Sequence, residues 1–166
     1  MPMTDPRELF LHELGDILYA ERQILKRLPK LAKEAGDDRL RDGFRKHEGE
    51  TREQVRNLEQ AFELLGESVS AERCPGIDGI IEEHDEFVQE ERPRAGVRDL
   101  FLTGSALRVE HYEIAAYTSL VSQAQAMRER DVAKLLRENL RQEKAMAREV
   151  ERLGKELGRE VVGSAA

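Results

Sequence analysis

Apolar positions along the chain fall into four long three-four alternations, each broken by polar residues near its middle. The first runs Phe10, Leu14, Ile17, then Glu21, then Ile24, Leu28 and Leu31. Asp5, Pro6 and Glu8 supply a cap, a first helical position and a capping-box acid, which predicts a helix over about 6–35 that stops at Gly36. The second alternation carries Leu40, Phe44, His47, Thr51, Gln54 or Val55, Leu58 and Phe62, predicting a helix over about 38–65 that ends before Gly66. In the third, about 96–127, the stripe is Leu100, Thr103, Leu107, Glu110, Ile114, Tyr117 and Val121, with Glu113 on its flank. The fourth, about 130–153, points Val132, Leu136, Asn139 or Leu140, Glu143, Met146, Val150 and Leu153 inward. The tail at about 158–166, ending "VVGSAA", is expected to fray.

Between the second and third helices, about 66–95, turn formers dominate "GESVSAERCPGIDG", and "IIEEHDEFV" suits a short extra helix. The stretch reads as a crossover within one domain, 1–166. The fold class expected is all-α: an antiparallel four-helix bundle made of two hairpins joined by this connection.

A helical hairpin is a mirror along the chain, because both arms rise about 1.5 Å per residue. With the first turn between Gly36 and Asp37, Glu21 lies about fifteen residues back and its level is matched near Thr51, beside His47 and Glu50. With the second turn near Met127, Glu110 is matched by Lys144, next to Glu143. The interruptions therefore share a height. Stacking the hairpins would bring Glu21, His47, Glu50, Glu110, Glu113 and Glu143 together. Ionised carboxylates in an apolar core cost several kcal/mol each and repel one another, so cations are needed to neutralise them. Glu with His is a ligand set suited to iron or manganese, and a bundle holding such a layer is how di-iron carboxylate proteins are built.

Composition narrows the alternatives. Charged residues make up 37% of the chain against 5% aromatic, which favours helices with salt-bridged outer faces over a β-sandwich. The net charge is -7 and the basic residues alternate with acids, so no nucleic-acid partner is expected. A single cysteine, Cys74, excludes an internal disulfide and a cysteine-based zinc site, and points to a reducing, cytoplasmic setting. Neither an export signal nor a membrane anchor is expected.

The stretches "ELGDILYAERQ" (13–23), "KHEGETREQV" (46–55), "VEHYEIAAY" (109–117) and "LLRENLRQEK" (135–144) occur in an order and with connections that resemble the YciE/YciF family of bacterial ferritin-like, stress-associated proteins. The likeness covers about residues 5–153. It implies a ferritin-like four-helix bundle that forms a homodimer, with ferroxidase or related oxygen or peroxide chemistry at a dinuclear iron site. Within the wider ferritin pattern, helices 2 or 4 commonly carry Glu-x-x-His. Here His47 precedes Glu50, and Met146 stands three residues after Glu143.

On this reading Glu21, Glu50, Glu110 and Glu143 are the principal ligands, and His47 and Glu113 complete the site. His111 points about 100° away from Glu110 around the helix. Whether His111, Glu13 or Glu138 takes part is left open by the spacing. His12, off its stripe, and His84, in the crossover, are expected to face solvent; Tyr19 and Tyr117 are expected to be packing residues with a polar tip. The competing reading is a non-catalytic stress or interaction protein whose acids pair with arginines or Lys144 in a buried ion-pair network. No further helix is expected after Leu153, which disfavours a storage cage.

Overall fold

The computed structural model describes residues 2–164, and among these every regular element is a helix. Helix α1 spans Pro6–Glu34 and α2 Asp38–Leu64; α3, Pro75–Glu91, lies in the crossover; α4 spans Ala95–Ala126 and α5 Arg130–Ser164. The long helices close a ring in which α1 packs on α2, α2 on α5, α5 on α4 and α4 on α1. Helix α3 lies across α1 and α4.

Most positions of the stripes read from the sequence form the core; on α4, Leu100, Leu107 and Ile114 are only half-buried, and Leu102, Ala106 and Leu120 are buried in their place. Phe10, Leu14, Ile17, Phe44, Leu58, Phe62, Leu136 and Val150 are buried, each worth about 1.5–3 kcal/mol of removal from water. The polar interruptions are buried with them: Glu21, His47, Thr51, Glu110, Glu113 and Glu143 have between 0% and 2% of their surface exposed.

Helix ends have local causes. Asp5 caps α1 by accepting from Arg7 N–H at 2.8 Å, and Pro6 takes the first helical position. The α1–α2 turn does not use a left-handed glycine at Gly36. Instead Asp99 of α4 reaches across, its two oxygens accepting from Gly36 N–H at 2.8 Å and Asp37 N–H at 2.9 Å. A Cβ at Gly36 would lie 3.0 Å from Asp99 Oδ2, so glycine is there for close approach. Gly66, by contrast, has φ 72°, and the amide of Glu67 closes onto Phe62 O at 3.0 Å, the left-handed cap that ends α2.

Three expectations are corrected. The fourth long helix does not stop near Leu153 but continues as α5 to Ser164, because Leu153 and Leu157 extend its buried stripe; residues 165–166 of the tail lie outside the described residues. The crossover helix has 17 residues, held at its start by the buried Cys74 and Ile77. His84 on that helix does not face solvent: it is 4% exposed, 3.1 Å from Glu34 Oε2 and 3.3 Å from the Ser105 hydroxyl.

No helix among the described residues is long and apolar enough to cross a membrane.

Candidate metal centre

Each of α2, α4 and α5 delivers acid or imidazole to one level of the bundle. His47 comes from α2, Glu110 and Glu113 from α4 three residues apart on one face, and Glu143 from α5. One potential ligand atom from each of these four lies within 4.8 Å of the others. A buried cluster of three carboxylates and one imidazole at that separation could hold a metal ion.

The imidazole is oriented by its outer neighbour. His47 Nδ1 faces Glu50 Oε2 at 3.3 Å, while Nε2 stands 3.4 Å from Glu110 Oε1 and 3.8 Å from Glu143 Oε2 without hydrogen-bond alignment. An ionised carboxylate only accepts, so a proton on Nδ1 serves Glu50 and leaves the Nε2 lone pair directed at the cluster. Glu50 lies on the rim, with a side chain 24% exposed and Lys46 Nζ at 3.7 Å. Its carboxyl is held below the usual range, first by the bond to His47, then by the positive charge of Lys46.

Glu21 enters from α1 on another side. Its Oε1 accepts from the Tyr117 hydroxyl, which in turn accepts from Asn139 Nδ2 at 3.0 Å; Asn139 Oδ1 accepts from Asn57 at 2.8 Å. Gln54 donates to Glu143 Oε1. These bonds fix one oxygen of Glu21 and one of Glu143. The second oxygen of each, Oε2 of Glu110, both oxygens of Glu113 and His47 Nε2 are buried with no hydrogen-bond partner.

The electrostatics follow. Burial pushes the carboxyls of Glu21, Glu110 and Glu113 well above their ordinary range, and the nearby Glu143 raises each further. Burial and the facing acids also raise the Tyr117 phenol. Among the described residues no arginine or lysine lies within salt-bridge reach of Glu21, Glu110, Glu113 or Glu143. Lys144, the expected counter-ion of an ion-pair network, is exposed.

Residues 5–162 match the family described as "Domain of unknown function (DUF892)". The chain belongs to this family. Protein YciF of Escherichia coli (strain K12) is 36% identical over 146 residues, 87% of each chain. Its crystal structure, that of the E. coli stress protein YciF, superposes with a TM-score of 0.88 at 35% identity, covering 93% of this chain and 98% of the other. YcfI from Rhodopseudomonas palustris gives 0.87 at 39% identity over 89% and 94%. A protein from Xanthomonas campestris pv. campestris gives 0.76 at 20% identity over 97% and 99%, a likeness of fold alone. The ferritin-like four-helix bundle expected from the sequence is the fold of this DUF892 chain.

In this DUF892 chain the five acids and one histidine singled out by spacing are not equivalent. His47, Glu110, Glu113 and Glu143 converge; Glu21 adjoins them through the Tyr117 side; Glu50 stands behind His47. His111 is exposed, and Glu138 pairs with Arg141 at 2.6 Å away from the cluster. Glu13 is half-buried and outside the group. Periodicity alone marks Tyr117 as a packing residue and does not separate Gln54 from Val55 or Asn139 from Leu140. All three are buried: Tyr117 donates to Glu21, Gln54 donates to Glu143, and Asn139 donates to the Tyr117 hydroxyl and to Gln54 O. The signal was present: an amide at a core position of an apolar stripe needs a polar neighbour to justify it.

Proposed function

We propose that the chain is a dimetal carboxylate protein of ferroxidase type, working on oxygen or peroxide in a bacterial stress response, with iron as the metal and manganese as an alternative. The observation that carries this is the set of buried, unpartnered oxygens on Glu110, Glu113 and Glu143 converging with the free Nε2 of His47, beside the buried, unpartnered Oε2 of Glu21. Natural interiors rarely leave polar atoms so, and an oxygen-rich set with one imidazole suits iron or manganese. The stress role is taken from the name of the E. coli relative's structure.

His47, Glu110, Glu113 and Glu143 would hold the metals, with Glu21 as a further ligand. What a bound pair supplies is two-electron exchange with the oxidant. The residues around it do the rest. Glu50 keeps the His47 ring in the tautomer that offers Nε2, and Gln54 and the Tyr117 hydroxyl each bind one oxygen of Glu143 and Glu21, leaving the other oxygen to turn inward. Tyr117, fully buried beside Glu21, holds its proton on the phenol and donates it as a hydrogen bond.

Anaerobic reconstitution with Fe(II), followed by elemental analysis and an oxygen pulse monitored optically, tests this. About two irons per chain and an oxidation-dependent absorption band are expected. No stoichiometric metal in a folded protein would end the proposal.

A further inference from the structure

A second feature meets the centre from outside. Beneath α3 lies a cavity of about 40 Å³, walled by Ile24, Leu28, Phe44, Ile81, Ala106 and Val109 and ending on His47 and Glu110. The lining is mostly aliphatic; of its other polar groups, Arg27 holds Asp85 at 2.9 Å, and His84 sits between Glu34 and Ser105. Water in a cavity needs two to four polar partners, so a space of this size, roughly three water-sized spheres, is better filled by a small apolar molecule. Three other hollows on the described surface, two of them lined largely by charged side chains, include no residue of the centre.

We infer that the pocket beneath α3 is the approach by which dioxygen, in preference to peroxide, reaches the His47–Glu110 edge of the centre. This rests on the metal site proposed above and names its oxidant. Hydrogen peroxide carries two donors and four lone pairs and must give up water for walls that are mostly aliphatic until it reaches His47 and Glu110, whereas an uncharged diatomic loses nothing on entering. The ties from α3 to α1 and α4, Arg27–Asp85, Glu34–His84 and His84–Ser105, hold the roof in place.

The test uses the full chain and two variants, Ala106→Phe to fill the cavity and Ile80→Trp to block its half-buried rim, with helicity checked for both. Crystals pressurised with xenon should show one xenon atom in the pocket of the wild type and none in Ala106→Phe. At equal iron content both variants should oxidise Fe(II) several-fold more slowly with dioxygen and at the wild-type rate with hydrogen peroxide. An empty pocket under xenon overturns the inference. So does an unchanged dioxygen rate in both variants, or an equal slowing with peroxide. If wild type takes up xenon but no iron, the metal site itself has failed and the route falls with it; if iron binds and the xenon or rate result fails, only the route falls.

Discussion

Two polar clusters are buried in this bundle, and they are built on opposite terms. At the α1–α2 turn, Asp99 is 4% exposed and both its oxygens accept backbone N–H groups; nearby, His84 has a partner on each ring nitrogen. Midway along the bundle, Glu113 is fully buried and neither of its oxygens has a partner, and His47 Nε2 points at acids without bonding them. A saturated polar group holds the fold, because each of its bonds replaces one lost to water. An unsaturated group costs stability, so its presence among Phe10, Ile17, Phe44 and Leu136 has to be explained by something that binds there.

The contrast can be broken by experiment. The largest effect expected is metal stabilisation: at a thousandfold excess over Kd, Fe(II) or Mn(II) should add about 4 kcal/mol to the wild type, or roughly 8–16 °C in Tm. Glu110→Ala should lose that increment while remaining helical. Metal that raises the melting temperature of both proteins equally would place the binding elsewhere. At the other cluster, Asp99→Ala should cost about 1–3 kcal/mol in chemical denaturation with no change in metal uptake, since it strands two backbone donors at the turn. A loss of metal in that variant would mean that the two clusters are not independent.

Glu50→Gln sharpens the comparison at the rim. It retains a side chain of the same size but weakens the hold on His47 Nδ1, so metal affinity should fall about tenfold to a hundredfold with stoichiometry preserved. Loss of a whole metal equivalent by titration calorimetry would instead make Glu50 a direct ligand.

The smallest effect concerns pH in the metal-free protein. Burial and the neighbouring acids raise the Glu113 carboxyl above its usual 4.5. Between those two values the folded chain keeps a proton that the unfolded chain has lost, so the stability this group contributes is full below about 4.5 and declines as pH rises toward the raised value. Glu113→Gln cannot lose that proton. Its stability advantage over wild type, about 1–2 kcal/mol, should therefore appear and widen from pH 5 to pH 8. An advantage that shrinks as pH rises would show that Glu113 is ionised and paired in the folded apo protein.

The comparison also explains what could be read from the sequence. Interruptions such as Glu21, Glu110 and Glu143 are visible because a helix repeats its inward face every three or four residues and the hairpin mirror sets their height. Three features escape that logic. His84 and Ser105 meet only because α3 folds back over α4, and no periodicity in the crossover encodes that packing. Asp99 reaches the turn 62 residues away along the chain, so Gly36 looked like an ordinary left-handed stop. The different stations of Glu50 and Glu113, three residues from His47 and Glu110 respectively, depend on how α2 and α4 are rotated about their own axes, which a stripe locates only to within about one position.

The most direct measurement is anomalous scattering at the iron edge from crystals grown anaerobically with Fe(II). Peaks enclosed by His47 Nε2 and the carboxylates of Glu110, Glu113 and Glu143, with Glu21 turned toward them, are the predicted result. A well-ordered bundle with no peak at that level, its acids hydrogen-bonded to water or to one another, would contradict the account.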